Sequence, residues 1–245
     1  MMDNVNKNIY KPEEILLKSY SSEYAVIGSG AGGSVVAMEL SESGKEVTVI
    51  EEGLDYNTLD FTSNIAEMTN LTWRNGGVTP FWGKPPIGFA EGKCVGGTTV
   101  INGGLLWRTP DRILDLWEKK HGLIGYSKSD LDPYFEKIEN ILNVGFNRND
   151  DQNQDSKILI KGCEKLGWKY VPVPRSGGAE CVNHNFCPTG CLSGAKKSTK
   201  LTYLPRAQKS GAKIFTGSKT LFIKQNNQGL VELLIKTSDS RKHTY

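Results

Sequence analysis

Residues 24–52 read YAVIGSGAGGSVVAMELSESGKEVTVIEE, and this stretch decides the fold. Its two short apolar runs, 24–27 and 47–50, are typical of buried strands. Residues 34–40 between them have the pattern of a helix, and Gly44 stands where helices often end. Two parallel strands joined by a crossover helix form a β-α-β unit. The sequence therefore predicts an α/β fold with a doubly wound, Rossmann-like sheet.

The turn after the first strand has the glycine spacing of a dinucleotide-binding site. Gly28, Gly30 and Gly33 fit the pattern G-x-G-x-x-G. In that pattern the first glycine permits a tight turn, the second lets the backbone approach a pyrophosphate, and the third lets helix and strand pack closely. The phosphates then lie at a helix N-terminus, where free N–H groups favour negative charge. The predicted cofactor-binding turn comprises Gly28, Ser29, Gly30, Ala31, Gly32 and Gly33.

An acidic pair follows the second strand. In this motif an acidic residue about 20 positions after the glycine turn binds the adenosine ribose. Glu51 and Glu52 lie close to that position. We therefore expect both residues at the cofactor site, with Glu51 on the ribose. This pattern does not separate FAD from NAD, because both contain adenosine diphosphate. A NAD-dependent dehydrogenase therefore remains an alternative.

A second glycine stretch, GKCVGGTTVINGG at residues 92–104, follows further along the chain. Adjacent glycines followed by hydroxyl side chains suit a second close approach of backbone to cofactor, and Thr98, Thr99 and Asn102 can supply hydrogen bonds. Without a ligand, the same pattern fits a loop that flanks a strand. If the stretch does bind a cofactor, the candidate contact residues are Gly92, Lys93, Val95, Gly96, Gly97, Thr98, Asn102 and Gly103.

Taken together, these pieces resemble the glucose–methanol–choline (GMC) oxidoreductase family of FAD-dependent alcohol oxidases and dehydrogenases. The resemblance rests on residues 28–33 with 51–53, on 92–102, on 107–110 and on 190–199. It is strongest toward the branch that contains long-chain fatty alcohol oxidases and similar bacterial flavoproteins. It implies oxidation of the CH–OH group of a small-molecule alcohol, with hydride transfer to N5 of FAD.

The resemblance also implies how the flavin is held and what surrounds it. Some relatives attach the flavin covalently through a His at the position that Phe89 occupies here, so we expect non-covalent FAD. The family's catalytic His lies in a C-terminal segment, and His121, His184 and His243 do not match it. We therefore expect the N-terminal part of such an enzyme, poorly soluble and without the catalytic and substrate-binding part. The electron acceptor is unknown, and a truncated flavin-binding module without turnover is a further alternative.

A cysteine-containing segment stands apart from these motifs. Cys181, Cys187 and Cys191, with His184 among them, offer ligands for zinc or an iron–sulfur cluster, as in a metal-assisted electron-transfer subunit. Their spacing departs from the strong zinc patterns, so reduced thiols in a turn are the favoured interpretation and no metal is expected.

The remaining patterns give the domain organisation. Residues 1–21 are interpreted as a polar N-terminal extension and 22–245 as the FAD-binding domain, with 125–185 as a helical, cysteine-containing insertion that forms a partial second region. The helix at 34–40 is expected to bury Val35, Val36 and Leu40. Further helices are predicted from Thr109-Pro110 to Gly122, from Ser127, over 156–166 and near Pro205, strands over 221–224 and 230–236, an irregular segment over 56–92 and a polar loop over 147–155.

Composition excludes several classes of partner. The formal net charge is +3 and no long basic run is present, which argues against nucleic acid. No apolar stretch reaches the roughly 20 residues of a membrane span, and the polar N-terminus is not that of a signal peptide. We therefore expect a cytoplasmic protein. The five cysteines are an odd number, so a disulfide framework is not expected.

Overall fold

The computed structural model describes residues 8–16, 19–148, 152–227, 229–239 and 242–244. Its strands are β1 Ile9–Tyr10, β2 Tyr24–Ile27, β3 Val47–Ile50, β4 Thr79–Phe81, β5 Ile87–Phe89, β6 Val144–Gly145, β7 Arg175–Ser176, β8 Lys213–Phe215, β9 Ser218–Gln225, β10 Val231–Thr237 and β11 Lys242–Thr244. Its α-helices are α1 Ala31–Glu42, α2 Ile65–Thr72, α3 Thr98–Ile101, α4 Asp111–His121, α5 Lys128–Ile141, α6 Gln154–Leu166 and α7 Tyr203–Lys209. Part of the predicted extension and of the polar loop, at 1–7, 17–18 and 149–151, lies outside the described residues.

The chain divides into two compact units. Unit 1 comprises Met1–Gly103, His184–Gly194 and Ser198–Tyr245, and unit 2 comprises Gly104–Asn183 and Ala195–Lys197. The second region therefore begins earlier than the predicted boundary at residue 125. Most of the cysteine segment belongs to unit 1, where the Trp73 indole N–H donates a hydrogen bond to the backbone oxygen of Pro188 (2.8 Å).

A four-stranded sheet forms the centre of unit 1, in the order β1-β8-β3-β2, with every neighbouring pair parallel. β2, α1 and β3 form the predicted β-α-β unit, which confirms the α/β fold class. Each residue of β3 is buried, as expected for an inner strand of a parallel sheet. β1 lies within the segment 1–21 that the sequence analysis assigned to a polar extension. It has a place at the sheet edge because Tyr10 packs edge-on against Phe215, with ring centroids 5.4 Å apart.

Helix α1 packs against α7 and against β3 and β2. Ser34, Ala37, Met38 and Ser41 are its buried residues. The expectation that Val35, Val36 and Leu40 are buried is wrong, since Val36 is 49% exposed and the other two are only partly covered. A helix that packs closely on its neighbours needs small residues at the contact. The buried face of α1 therefore differs from the face that hydrophobicity predicts.

A second, antiparallel sheet completes unit 1, with β10 between β9 and β11. Leu233 and Ile235 of β10 pack with Ile50 of β3 in one apolar cluster. β9 and β10 confirm the two late strands predicted over 221–224 and 230–236. The segment over 56–92 is less irregular than predicted, because it contains α2 and the antiparallel pair β4–β5.

Unit 2 contains α4, α5, α6 and the short antiparallel pair β6–β7. Helix α5 begins as predicted, since Ser127 and Asp130 form a reciprocal capping box. α4 begins at Asp111 with Pro110 as the N-cap, one residue later than predicted, and α6 ends at Gly167 in a left-handed conformation. Within the described ranges, no helix is long and apolar enough to cross a membrane.

Candidate cofactor-binding site

The first glycine turn connects β2 to α1 and has the geometry that its spacing predicts. Gly28 has a φ of 89°, a conformation that favours glycine. A Cβ atom on Gly33 would stand 2.0 Å from the backbone oxygen of Gly28, so only glycine allows the helix to approach the strand this closely. Gly30 is the N-cap of α1 and supplies no side-chain cap. The first N–H groups of α1 therefore have neither an intrahelical acceptor nor a capping side chain.

Gly30 and Gly32 differ from Gly33 in what surrounds them. A Cβ atom on either residue would meet no protein atom within 4 Å. Internal packing therefore does not require glycine at position 30. Gly30 borders a cavity of about 280 Å³ instead, and its missing side chain leaves that space open in front of the N-terminus of α1.

The second glycine stretch lies directly against the first turn. Gly97 is the N-cap of α3, and a Cβ atom on it would stand 3.1 Å from the Cα atom of Gly30. The backbone N–H of Gly92 donates to the Thr98 hydroxyl oxygen (3.0 Å), which folds the stretch back on itself. The two glycine motifs that the sequence singles out thus border the same cavity.

The predicted site residues divide into two groups. Those that line the cavity are Gly28, Gly30, Glu51, Glu52, Gly92, Gly97 and Thr98. Those that do not line it are Ser29, Ala31, Gly32, Gly33, Lys93, Val95, Gly96, Asn102 and Gly103. Several of the second group support the first: Ser29, Val95 and Gly96 are buried behind the cavity wall. Asn102 and Gly103 follow α3 and are exposed, so a contact to a long cofactor at these two positions remains a prediction.

The Glu51 carboxylate is 7% exposed and makes three hydrogen bonds within the protein. It accepts from the backbone N–H of Ser29 (2.9 Å), from the Ser29 hydroxyl (2.6 Å) and from the backbone N–H of Gly53 (2.7 Å). A carboxylate offers about four acceptor positions, so roughly one is left toward the cavity. Glu51 therefore fixes the glycine turn, and its predicted contact to a ribose hydroxyl stays a prediction.

Glu52 lies on the same cavity wall among cationic side chains. Its carboxylate pairs with Arg74 (2.8 Å), Lys219 (3.5 Å) and Lys93 (3.8 Å). Burial alone would raise the pKa of Glu52. The hydrogen bond and charge of Arg74, with the charges of Lys219 and Lys93, outweigh burial and lower this pKa below its ordinary value. Glu52 is therefore ionised at neutral pH.

Sequence reasoning missed two cationic residues of the cavity wall and the strand that carries one of them. Arg74 and the first residues of β9, Ser218, Lys219 and Thr220, line the cavity. Thr220 lines the cavity, but its hydroxyl oxygen is itself fully buried and has no hydrogen-bond partner among the described residues. The sequence offered a signal for β9, because β9 directly follows the parallel strand β8. Residues after the carboxyl end of a parallel strand lie at the edge where ligands bind.

The cysteines show a different arrangement. None of the five forms a disulfide bond. Cys187 and Cys191 belong to unit 1, whereas Cys181 belongs to unit 2. In the part of the chain that the structure describes, no group of three or more His, Cys, Asp or Glu side chains is placed to hold a metal ion.

Comparison with known proteins identifies the family. Residues 25–244 match the GMC oxidoreductase family. The chain belongs to the GMC oxidoreductase family. The matched part of these proteins is their N-terminal, FAD-binding domain. The predicted family is thereby confirmed.

Individual GMC relatives cover most of the chain. A GMC-type oxidoreductase of Sinorhizobium fredii is 33% identical over 198 residues, which are 81% of this chain and 39% of that protein. A long-chain-alcohol oxidase of Arabidopsis thaliana is 33% identical over 231 residues, 88% of this chain and 28% of the oxidase. The chain thus spans well under half the length of these relatives.

Solved structures share the fold of this GMC chain. Pyridoxine 4-oxidase from Mesorbium loti aligns with a TM-score of 0.65 at 15% identity, over 91% of this chain and 47% of the oxidase. A formate oxidase aligns with the same TM-score at 14% identity, over 93% of this chain and 44% of the oxidase. At these identities the likeness shows a shared fold.

Proposed function

We propose that unit 1 binds FAD non-covalently in the cavity between the two glycine motifs, and that the protein of which this domain is part oxidises the CH–OH group of an alcohol. The observation that carries the proposal is that Gly30 and Gly97, from motifs far apart in sequence, meet at one cavity. The alternative of a NAD-dependent dehydrogenase gives the second motif no role.

Each part of the cavity wall has a distinct task in this proposal. The uncapped N–H groups of α1 and the backbone at Gly97 bind the pyrophosphate, because anions are favoured at a helix N-terminus. Glu51 and Glu52 face the adenosine ribose at the end of β3. The first residues of β9, from Ser218 to Thr220, complete the cavity wall.

When bound, FAD supplies the redox chemistry, by accepting at N5 a hydride from the carbon of the CH–OH group. The residues described here hold and orient the cofactor. The long-chain-alcohol oxidase relative supports an alcohol as the substrate class. Phe89, which lies in β5 and packs on Phe81, provides no nucleophile for a covalent flavin link.

The first experiment is a visible absorption spectrum of the purified chain, followed by denaturation and a spectrum of the supernatant. We expect a flavin spectrum that moves entirely into the supernatant. Flavin retained on the denatured chain would contradict non-covalent binding. A colourless chain that takes up NAD but no added FAD would overturn the cofactor assignment.

A single substitution tests the location of the site. Gly30→Val adds a side chain whose Cβ atom meets no protein atom within 4 Å, so the fold should persist while the cavity is filled. We expect FAD binding to fall at least tenfold, which corresponds to about 1.4 kcal/mol, measured by titration of flavin fluorescence. Gly162→Ala in α6, also an open position, is the matched control and should bind like the unchanged chain. Equal FAD affinity of the two variants would place the site elsewhere.

A further inference from the structure

The two glycine motifs must keep a fixed distance from each other if they are to bind one cofactor. One direct hydrogen bond joins them: the backbone N–H of Gly96 donates to the Ser29 hydroxyl oxygen (2.9 Å). The same hydroxyl donates to Glu51, so the bond belongs to a short chain that ends at β3. The Ser29 hydroxyl thus accepts a hydrogen bond from the second motif and donates one to Glu51.

Thr199 contacts both motifs from a third, distant part of the sequence. Its hydroxyl lies 3.2 Å from the backbone oxygen of Ser29 and 3.3 Å from that of Gly96. It also lies 3.0 Å from the Thr99 hydroxyl, and the backbone N–H of Thr199 donates to that same oxygen (3.1 Å). The Thr99 hydroxyl in turn donates to the Gly96 oxygen (2.6 Å). Thr199 is only 4% exposed, so water does not compete for these contacts.

The segment that carries Thr199 is itself anchored. The backbone oxygen of Thr199 accepts from the N–H of Leu204 (3.0 Å), at the start of α7, the helix that packs on α1. The next residue, Lys200, forms an ion pair with Asp55, and both side chains are only 13% exposed. A Cβ atom on Gly96 would stand 3.1 Å from the Cβ atom of Lys200. Thr199 is therefore held in a rigid position beside the second motif.

We propose that Thr199 is a positioning residue for the cofactor: its hydroxyl sets the relative placement of the first and second glycine motifs, and thereby the affinity for FAD. The contacts of Thr199 with Ser29, Gly96 and Thr99 are called the Thr199 bridge. The inference rests on the proposed function, because it concerns how tightly the same cavity holds FAD. Thr199 does not itself line the cavity, so it acts through the backbones of Ser29 and Gly96.

The test compares Thr199→Val, which keeps the shape and removes the hydroxyl, with Thr199→Ser, which keeps the hydroxyl. We expect the FAD dissociation constant to rise about tenfold in Thr199→Val, as for the loss of a buried hydrogen bond, and to recover in Thr199→Ser. The matched control is Thr72→Val, because Thr72 is fully buried and its hydroxyl donates only within α2, to the Met68 oxygen (2.7 Å). A purely structural role for Thr199 would lower the melting temperature as Thr72→Val does and leave FAD affinity unchanged, which would overturn the proposal.

A second measurement separates this proposal from the proposed function. Hydrogen–deuterium exchange of the chain without cofactor should be faster in Thr199→Val over residues 28–33 and 95–99, and unchanged over β10. Unchanged exchange over both glycine motifs would overturn the bridge, whether or not FAD binds. Failure of the unchanged chain to bind FAD, with the exchange difference present, would overturn the proposed function and support the bridge. If Thr199→Val does not fold, Thr99→Val removes the bridge from its other side and should give the same changes.

Discussion

Helices α1 and α6 have nearly the same length, 12 and 13 residues, yet they differ in how they are packed. α1, in unit 1, buries four side chains, most of them small. α6, in unit 2, buries none, although Ile158, Leu159 and Leu166 give it a clear apolar stripe. An apolar stripe therefore predicts that a helix forms, but the burial of its residues depends on a partner surface. The contrast indicates that the described fold is stabilised chiefly through unit 1.

The largest expected effect comes from the interior glycines of the two helices. Gly33→Ala in α1 forces a Cβ atom against the Gly28 oxygen at 2.0 Å, so strand and helix must separate. We expect a loss of at least about 4 kcal/mol in the free energy of unfolding, enough to unfold a marginally stable unit. Gly162→Ala in α6 meets nothing within 4 Å and should stabilise by up to about 1 kcal/mol. Urea unfolding followed by circular dichroism measures both, and a neutral Gly33→Ala would refute the close contact.

A smaller effect is expected from truncation of one apolar side chain in each helix. Met38 in α1 is completely buried, so Met38→Ala should leave a cavity and cost about 3 kcal/mol. Leu159 in α6 is 68% exposed, so Leu159→Ala should change stability by less than about 0.5 kcal/mol. Thermal unfolding of the two variants gives the comparison. An equally large loss for Leu159→Ala would show that the apolar stripe of α6 is covered in solution.

The parts of the fold that the sequence predicts are those with local physical causes. The β-α-β unit follows from apolar periodicity, and Gly28 and Gly33 from steric limits on a turn and on helix–strand contact. The buried face of α1 was predicted wrongly because it is set by the approach of α7, some 170 residues away. No pattern within α1 contains that information, and hydrophobicity points to Val36 instead.

In the candidate site, too, the residues with a local sequence signature were predicted and those placed by distant contacts were not. Both glycine motifs were found because each has its own local signature. Arg74 was missed because it reaches the cavity through its ion pair with Glu52, 22 residues away in sequence, which leaves no local signature. Thr220 was missed although β9 directly follows the parallel strand β8. Glu51 was correctly placed at the end of β3, but its three internal hydrogen bonds depend on Ser29 and Gly53, whose amide directions the sequence does not specify.

The smallest effect concerns pH and the arginine–carboxylate pairs of the two units. The folded-state pKa of Glu52 is lowered, so ionised Glu52 contributes stability above its ordinary pKa of 4.5, and this contribution is lost as the pH falls through the lower, folded-state value. Arg74→Met removes the hydrogen bond and the charge that contribute most to lowering this pKa. Burial should then raise the pKa of Glu52. The variant should lose less stability than the unchanged chain between pH 6 and about pH 3.

The matched pair in unit 2 should respond differently to the same substitution. The Arg108 hydrogen bond lowers the pKa of Glu139, whose carboxylate is more exposed than that of Glu52, so burial opposes the shift less. In Arg108→Met only slight burial and the charge of Asp132 remain, and both raise the pKa of Glu139, so this pKa should return to its ordinary range or slightly above it. Thermal unfolding over the acid range, repeated with Glu52→Gln and with Glu139→Gln, isolates each carboxylate. If Arg74→Met and Arg108→Met had identical pH profiles, burial would not distinguish the carboxylate at the cavity of unit 1 from the one on the surface of unit 2.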